Sequence, residues 1–184
     1  LIVTGAGTAG TTLYLNDGDG NFSDGTAGSG LDDLPPVPEG RQAQMHGITL
    51  ADYDRDGRLD VLLTHWDDVI PAALADPEAD AIRPDGNDSI VCARADWLAE
   101  RGFPRAEGAP ANRGRLYRNE GDGRFRDVST EVGLPFAEIL GFTASFADVD
   151  DDGWEDLLIT GDFCTSRLFR NVDGTRFEDV TTAA

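Results

Sequence analysis

"RLYRNEGDGRFRDVSTEVGL" spans residues 115–134, and it decides the fold because the chain carries this stretch three times. It returns as "RLFRNVDGTRFEDVTTAA" at 167–184, and an earlier copy, "TLYLNDGDGNFSDGTAGSGL", stands at 12–31. Each copy consists of two short strand-like runs joined by a tight turn of Asn, Gly and Asp, which is a strong signal for a β-hairpin. The chain therefore repeats a β-hairpin unit.

A second repeated unit lies between these hairpins. "HGITLADYDRDGRLDVLLTHW" at 46–66 matches "FTASFADVDDDGWEDLLITGD" at 142–162, and each copy holds two apolar runs on either side of an acidic loop. Together with the hairpin that follows, one full unit contains four strand-like runs. In the last copy these runs lie at about 142–148, 156–161, 167–171 and 175–180. Four short antiparallel strands that recur at a fixed period are typical of a β-propeller blade.

We predict an all-β segment of a propeller with four-stranded antiparallel blades, about two and a half to three blades in all. Residues 1–31 form a partial blade with strands two to four, 32–134 a complete blade, and 135–184 another complete blade. The middle blade carries an insertion at about 67–112, in which Asp88–Arg101 could form a short helix. So few blades cannot close a ring, so we expect the remaining blades of a longer propeller to cover both ends. We also expect a further acidic motif directly before residue 1.

The composition limits the partners. Acidic residues outnumber basic ones 35 to 15, all the basic residues are Arg, and the net charge is −20. Such a surface repels nucleic acid and anionic membranes and attracts cations. No apolar run approaches the roughly 20 residues that span a bilayer. We therefore predict neither nucleic-acid binding nor membrane insertion.

Two acidic loops carry the chemistry, and both read D-x-D-x-D-G-x-x-D. The carboxylates are Asp52, Asp54, Asp56, Asp60, Asp148, Asp150, Asp152 and Asp156. Carboxylates at alternate positions of a tight loop converge on one point, and a hard cation that takes 6–8 oxygen ligands at 2.3–2.6 Å suits such a cage. We predict one calcium ion per loop, with the backbone carbonyls of Arg58 and Trp154 as further ligands. Zinc would require His or Cys, which neither loop contains.

Two rival motifs fail in their context. Gly5, Gly7 and Gly10 give the G-x-G-x-x-G spacing of a dinucleotide site, but a strand and not a helix follows them. The acidic loops begin like EF-hands, but position 12 falls on Leu63 and Ile159 instead of Glu, and the flanking runs are strand-like. Neither a nucleotide site nor an EF-hand is predicted.

The paired motifs "ADYDRDGRLDVLLT" and "ADVDDDGWEDLLIT", each followed by an "LYRNEGDGRFRDV"-type hairpin, resemble the FG-GAP/VCBS repeats. These repeats form the calcium-binding β-propellers of integrin α-subunits and of many secreted bacterial proteins, and the likeness is closest to the cartilage-acidic-protein branch. The resemblance covers everything except the insertion. It implies that the Asp side chains of both loops bind calcium.

The leading hypothesis is a non-enzymatic, extracellular module for adhesion, assembly or scaffolding, in which calcium is structural. An extracellular site follows from the calcium affinity of such modules. The alternative is part of a secreted carbohydrate-active enzyme, such as a polysaccharide lyase with a propeller. A lyase would need a base beside the calcium, whereas the chain has no Lys and its two histidines, His46 and His65, do not repeat. Packing is the better interpretation for His46, Trp66 and Trp97.

The elaborated loops point to a binding face. The insertion and the link at 32–45 leave the blades on the face opposite the calcium loops, where we expect a protein or carbohydrate ligand. Cys92 lies in the insertion, and Cys164 lies in the equivalent short loop of the next blade. Because adjacent blades place these loops side by side, we predict a Cys92–Cys164 disulfide. Two unpaired thiols are the alternative.

Overall fold

The structure is a computed structural model that describes residues 1–4, 11–34, 44–66, 114–136, 139–161 and 165–182. These residues form three antiparallel β-sheets with essentially no helix. The whole predicted insertion at about 67–112, including the helix at Asp88–Arg101, and both cysteines lie outside the described residues, so these predictions stay untested.

The strands follow one another in chain order within each sheet. The first sheet contains β1 (Ile2–Val3), β2 (Thr12–Asn16) and β3 (Phe22–Asp24). The second contains β4 (Gln44–Ala51), β5 (Asp60–Trp66), β6 (Arg115–Gly121) and β7 (Arg124–Asp127). The third contains β8 (Gly141–Ala147), β9 (Asp156–Gly161), β10 (Arg167–Val172) and β11 (Arg176–Asp179). The all-β prediction is confirmed, whereas the boundaries between the three repeat units stay predictions.

The repeated hairpin turns have the backbone that their sequence predicts. Between β6 and β7, Asp122 and Gly123 both have positive φ angles, of 52° and 72°. Between β10 and β11, Asp173 and Gly174 do the same, at 54° and 66°. Asp and Gly tolerate this left-handed region better than other residues, which is why Asp-Gly pairs mark tight hairpins.

The sheets pack face to face through alternate residues of their strands. Val61 and Leu63 of β5 point toward the first sheet, whereas Leu62 between them packs on the third. This follows from the two-residue period of a strand. The apolar clusters are Leu13, Leu31, Val61, Leu63 and Tyr117 on one side, and on the other a larger set that includes Leu62, Leu116, Leu157, Ile159 and Phe169. The second sheet thus contributes to an apolar cluster on each of its two faces.

A repeated backbone hydrogen bond joins each sheet to the next. The amide of Phe125 donates to the carbonyl of Ser29 at 2.7 Å, and in the next repeat the amide of Phe177 donates to the carbonyl of Val132 at 2.8 Å. Gly30 has a φ of +88°, and a Cβ built there would lie 2.1 Å from the Phe125 carbonyl oxygen. Glycine is therefore required where the segment after β3 crosses to the second sheet.

Each end sheet keeps one apolar face open. Phe22 in the first sheet is 51% exposed, whereas Phe125 at the same repeat position packs against the first sheet's residues. Leu158 in the third sheet is 43% exposed, whereas its counterpart Leu62 is fully buried. Repeat positions that pack against a neighbouring sheet in the second sheet are thus exposed in the first and third sheets.

Candidate metal centres

The two acidic loops connect the first two strands of the second and third sheets. The loop between β4 and β5 has positive φ angles at Arg55 (58°) and Gly57 (86°). The loop between β8 and β9 has them at the equivalent residues, Asp151 (60°) and Gly153 (93°). Both loops therefore fold with the same backbone, and their sequence repeat is also a structural repeat. We call residues 52–60 loop one and residues 148–156 loop two.

Three carboxylates converge in each loop. In loop one, one oxygen from each of Asp52, Asp54 and Asp60 lies within 4.8 Å of the others. In loop two, Asp148, Asp150 and Asp156 form the same arrangement. Six of the eight predicted carboxylates thus come together as two equivalent groups, each of which could hold a metal ion.

The remaining two carboxylates lie outside these groups and face the loop backbone. Asp56 pairs with the guanidinium of Arg58 and accepts a hydrogen bond from the Arg58 amide at 2.9 Å. Asp152 accepts a hydrogen bond from the Trp154 amide at 2.8 Å. The predicted roles of the Arg58 and Trp154 carbonyls as ligands stay predictions.

Hydrogen bonds within each loop aim the convergent carboxylates. Asp52 Oδ2 accepts the Gly57 amide at 2.9 Å, and Asp148 Oδ2 accepts the Gly153 amide at the same distance. Each bond spans five residues, so it ties the first carboxylate of the loop across the turn to the glycine. Each of these carboxylates uses one oxygen for the loop and leaves the other for the centre.

The last carboxylate of each loop is buried and fastens the loop to its sheet. Asp60 accepts the amide of Asn119 on β6 at 2.8 Å and the amide of Tyr53 at 3.3 Å. Asp156 makes the equivalent bonds to the Asn171 amide on β10 at 2.8 Å and to the Val149 amide at 3.0 Å. These two residues therefore anchor the loop backbone and belong to the carboxylate group as well.

Burial works against the negative charge of loop one. It raises the pKa of Asp60 to about 7, although backbone hydrogen bonds from Asn119 and Tyr53 oppose the shift. The pKa of Asp54 is also raised, mainly by burial and further by the charges of Asp56 and Asp52. Grouped carboxylates that are removed from water favour a bound cation or a proton.

Loop one contains a buried carboxylate oxygen that is suited to binding a cation. Asp52 Oδ1 is buried and has no hydrogen-bond partner among the residues that the structure describes. A buried carboxylate oxygen without a donor is costly, and native proteins rarely leave one unsatisfied. Because Asp52 belongs to the group with Asp54 and Asp60, a cation held there would supply the missing partner. The donors in both groups are carboxylate oxygens, which hard divalent cations prefer.

Two asparagines support the loops, and sequence reasoning assigned them only to the hairpin signal. Asn119 Nδ2 donates to the carbonyl of Leu59 at 3.0 Å. The fully buried Asn171 donates from Nδ2 to the carbonyls of Glu155 at 3.1 Å and of Tyr53 at 2.9 Å. The sequence does carry a signal, because Asn stands at this position in all three hairpin copies.

The other residues considered from the sequence are placed only in part. Trp66 stacks on Phe142 with ring centroids 6.3 Å apart, and His65 beside it is buried. For His46 the structure describes the backbone within β4 and not the side chain, and Trp97 lies outside the described residues. Within the described ranges, no helix is both long enough and apolar enough to cross a membrane.

The sheets and their acidic loops define the class of protein. The sequence model of the FG-GAP-like repeat family matches residues 1–63 and 85–159, which is most of the chain. The chain therefore belongs to the FG-GAP-like repeat family, as its motifs indicate.

Curated relatives match over a shorter stretch of 54 residues. In this stretch the chain is 43% identical to cartilage acidic protein 1 of Homo sapiens, 41% to that of Mus musculus and 39% to that of Xenopus tropicalis. The stretch covers 29% of this chain but only 7% of each relative. The match therefore supports a relationship between the repeats of these proteins. It covers too little of the relatives to transfer their activity to this chain.

Proposed function

We propose that this chain is a non-catalytic, extracellular propeller module that holds two structural calcium ions, one in each acidic loop. The observation that carries the proposal is the repeated convergence of three Asp carboxylates, with Asp52 Oδ1 buried and unpartnered in the first group. Membership of the FG-GAP-like repeat family and the likeness to a protein named for cartilage support an extracellular role.

Calcium suits these loops better than other common cations. Each group offers carboxylate oxygens from a loop that contains several left-handed residues, and calcium accepts irregular shells of oxygen ligands. Magnesium requires near-octahedral geometry and keeps much of its water, and zinc prefers nitrogen and sulfur. The water molecules and carbonyls that complete a calcium shell can differ between the two loops.

The bound ions stabilise the fold, and a different surface binds the ligand. Each loop joins the first two strands of its sheet, so a cation there neutralises the clustered charges and fixes the connection. The resulting rigid module then serves adhesion, assembly or scaffolding through a protein or carbohydrate ligand, bound on the face opposite the loops. A carbohydrate-active enzyme remains the alternative, for which uronide cleavage with and without calcium is the assay.

Calorimetric titration of the metal-free chain tests the proposal. We expect two calcium ions per chain and a higher melting temperature in calcium, because the ion binds the folded state. Asp54→Asn and Asp150→Asn should each remove one site. Asp122→Asn, at an exposed hairpin turn, is the matched control and should keep both sites. A chain that binds no calcium at millimolar concentration would contradict the proposal.

A further inference from the structure

Loop one contacts loop two across the interface between the second and third sheets. The guanidinium carbon of Arg55 lies 4.4 Å from the ring centroid of Trp154, a cation–π geometry. Arg55 also lies over the backbone of loop two, because a Cβ built on Gly153 would be 3.1 Å from an Arg55 guanidinium nitrogen. A residue of one metal loop thus packs directly on the other.

Asn171 makes a second connection between the loops. Its side-chain amide donates to the carbonyl of Tyr53, which lies between two of the grouped carboxylates of loop one. Its backbone amide donates to Asp156, a grouped carboxylate of loop two. Because Asn171 is fully buried, both bonds are shielded from water and hold their partners in a fixed relation.

The hairpin that carries Asn171 also packs against loop one. A Cβ on Gly174 would lie 2.9 Å from Asp54 Cα and 2.7 Å from the Trp154 ring. The rings of Tyr53 and Phe177 pack with centroids 5.8 Å apart. The segment that presents Asp54 is therefore held by residues of the third sheet.

Loop two has no such support among the described residues. Val149 occupies the position of Tyr53 in the repeat, yet it is 59% exposed whereas Tyr53 is 2% exposed. Asp148 and Asp150 are likewise exposed, whereas Asp52 and Asp54 are half-buried. The two loops share a backbone, but within the described part of the chain a following sheet supports loop one and not loop two.

We propose that the two metal sites are positively coupled through the Arg55–Trp154 contact and Asn171, so that calcium in either loop raises the affinity of the other. The inference rests on the proposed function, since it requires both loops to bind calcium. A cation that orders one loop also fixes the residues, such as Arg55 or Trp154, that contact the other loop. The second ion then loses less conformational entropy on binding, which gives positive cooperativity.

Repulsion between the two bound cations opposes this coupling, and the carboxylates and dissolved salt reduce that repulsion. Two cations repel each other, but each is enclosed by carboxylates and the remaining field is screened by salt. Each ion also removes part of the carboxylate repulsion that loosens its own loop. We therefore expect ordering to exceed repulsion at physiological ionic strength.

Calorimetry on the full chain measures the coupling. The pair Asp148→Asn and Asp150→Asn isolates loop one, and the pair Asp52→Asn and Asp54→Asn isolates loop two. We expect each isolated site to bind calcium at least about fivefold more weakly than it does when the other loop is filled, by the same factor in both directions because coupling is reciprocal. Independent sites or negative coupling would overturn the inference.

Two further variants test the residues assigned to the coupling. Arg55→Asn keeps a residue that tolerates a positive φ but removes the cation, and Trp154→Arg inserts the residue that loop one has at that position. Both should lower the coupling factor while two calcium ions still bind, and the Asn171 bonds should keep part of the coupling. Arg124→Asn, which removes an exposed arginine of a hairpin, is the matched control and should keep the coupling. A coupling factor that stays unchanged in both variants would refute the assignment of the Arg55–Trp154 contact.

Tryptophan fluorescence provides a readout at the contact itself. With Trp66→Phe and Trp97→Phe, Trp154 in loop two is the single reporter. When loop two is disabled by Asp148→Asn and Asp150→Asn, calcium binding to loop one should still change the Trp154 emission, and Arg55→Asn should abolish this response. No response with loop one filled would contradict the inference but leave the calcium proposal intact. If neither loop binds calcium, both proposals fall.

Discussion

Asn171 shows how one polar side chain can hold a repeat together. It is fully buried, and its amide donates to the carbonyls of Tyr53 and Glu155 while its Oδ1 accepts the Gly174 amide at 3.0 Å. Burial of an amide is tolerable because every one of these groups finds a partner. The side chain of the equivalent Asn119 donates to the Leu59 carbonyl and accepts the Gly121 amide at 3.0 Å, in a more exposed setting, so the two asparagines differ in what they support.

We therefore predict that Asn171→Ala destabilises the chain by about 2–4 kcal/mol, because it leaves buried carbonyls without donors. Asn119→Ala, the matched substitution one repeat earlier, removes two more exposed hydrogen bonds and should cost only about 1 kcal/mol, because water can replace the lost partners. Urea denaturation at a fixed calcium concentration measures both. Equal losses for the two variants would contradict the prediction.

At the scale of the elements, each sheet carries its own loop and hairpin, and the connecting segment after its last strand reaches over to the next sheet. The carbonyls of Ser29 and Val132 accept amides from the fourth strand of the following sheet in both observed interfaces. Such repeated neighbour contacts make stability a sum over adjacent units in repeat proteins. The glycine after each of these residues lets the backbones approach.

Gly30→Ala should therefore weaken the first interface far more than its backbone angle alone would cause. Gly18→Ala is the matched control, since Gly18 has a φ of +89° and nothing within 4 Å of the place that a Cβ would take, whereas Gly30 has a φ of +88° and a carbonyl oxygen at 2.1 Å. We expect about 1–2 kcal/mol for Gly18→Ala from the left-handed conformation. Gly30→Ala should cost at least about 2 kcal/mol more, from the clash.

Thermal unfolding of both glycine variants in the presence of calcium separates the two contributions. The prediction fails if Gly30→Ala and Gly18→Ala lower the melting temperature equally, because the clash would then have no effect beyond the backbone angle.

At the largest scale, the three sheets form a stack, and among the described residues the middle sheet is the one that packs against a neighbouring sheet on each face. The open positions of the end sheets, such as Phe22 and Leu158, are the ones that a neighbouring sheet covers in the middle of the stack. An exposed apolar face of this kind favours association with a complementary face. We expect a further blade of the same repeat to be the natural occupant.

When this chain is expressed alone, the two end faces should therefore associate with each other, head to tail. We predict concentration-dependent self-association in sedimentation velocity, and Leu158→Arg should reduce it by placing a charge in the contact. Leu50→Arg alters a similarly exposed leucine of the middle sheet and is the control. Self-association that is equal in both variants would refute the use of these faces.

The sequence alone determined the strands, the hairpins and the two acidic loops, because each depends on residues that are close along the chain. The predicted runs of the last repeat match β8 to β11 within one residue. The D-x-D-x-D-G-x-x-D spacing located the carboxylates that converge, since alternate residues and a left-handed glycine fix the local path. A repeat also averages out accidental patterns, so its register is more secure than that of a single motif.

The spacing treats all four Asp residues of a loop alike, and the tertiary structure determines which of them converge. It groups Asp60 with Asp52 and Asp54, whereas Asp56 turns to Arg58, because strand pairing buries Asp60 beside the backbone of β6. It also joins Asn171 to the carbonyl of a residue 118 positions earlier and lays Arg55 on the ring of loop two. No local pattern specifies such contacts, because they exist only when one sheet packs on the next.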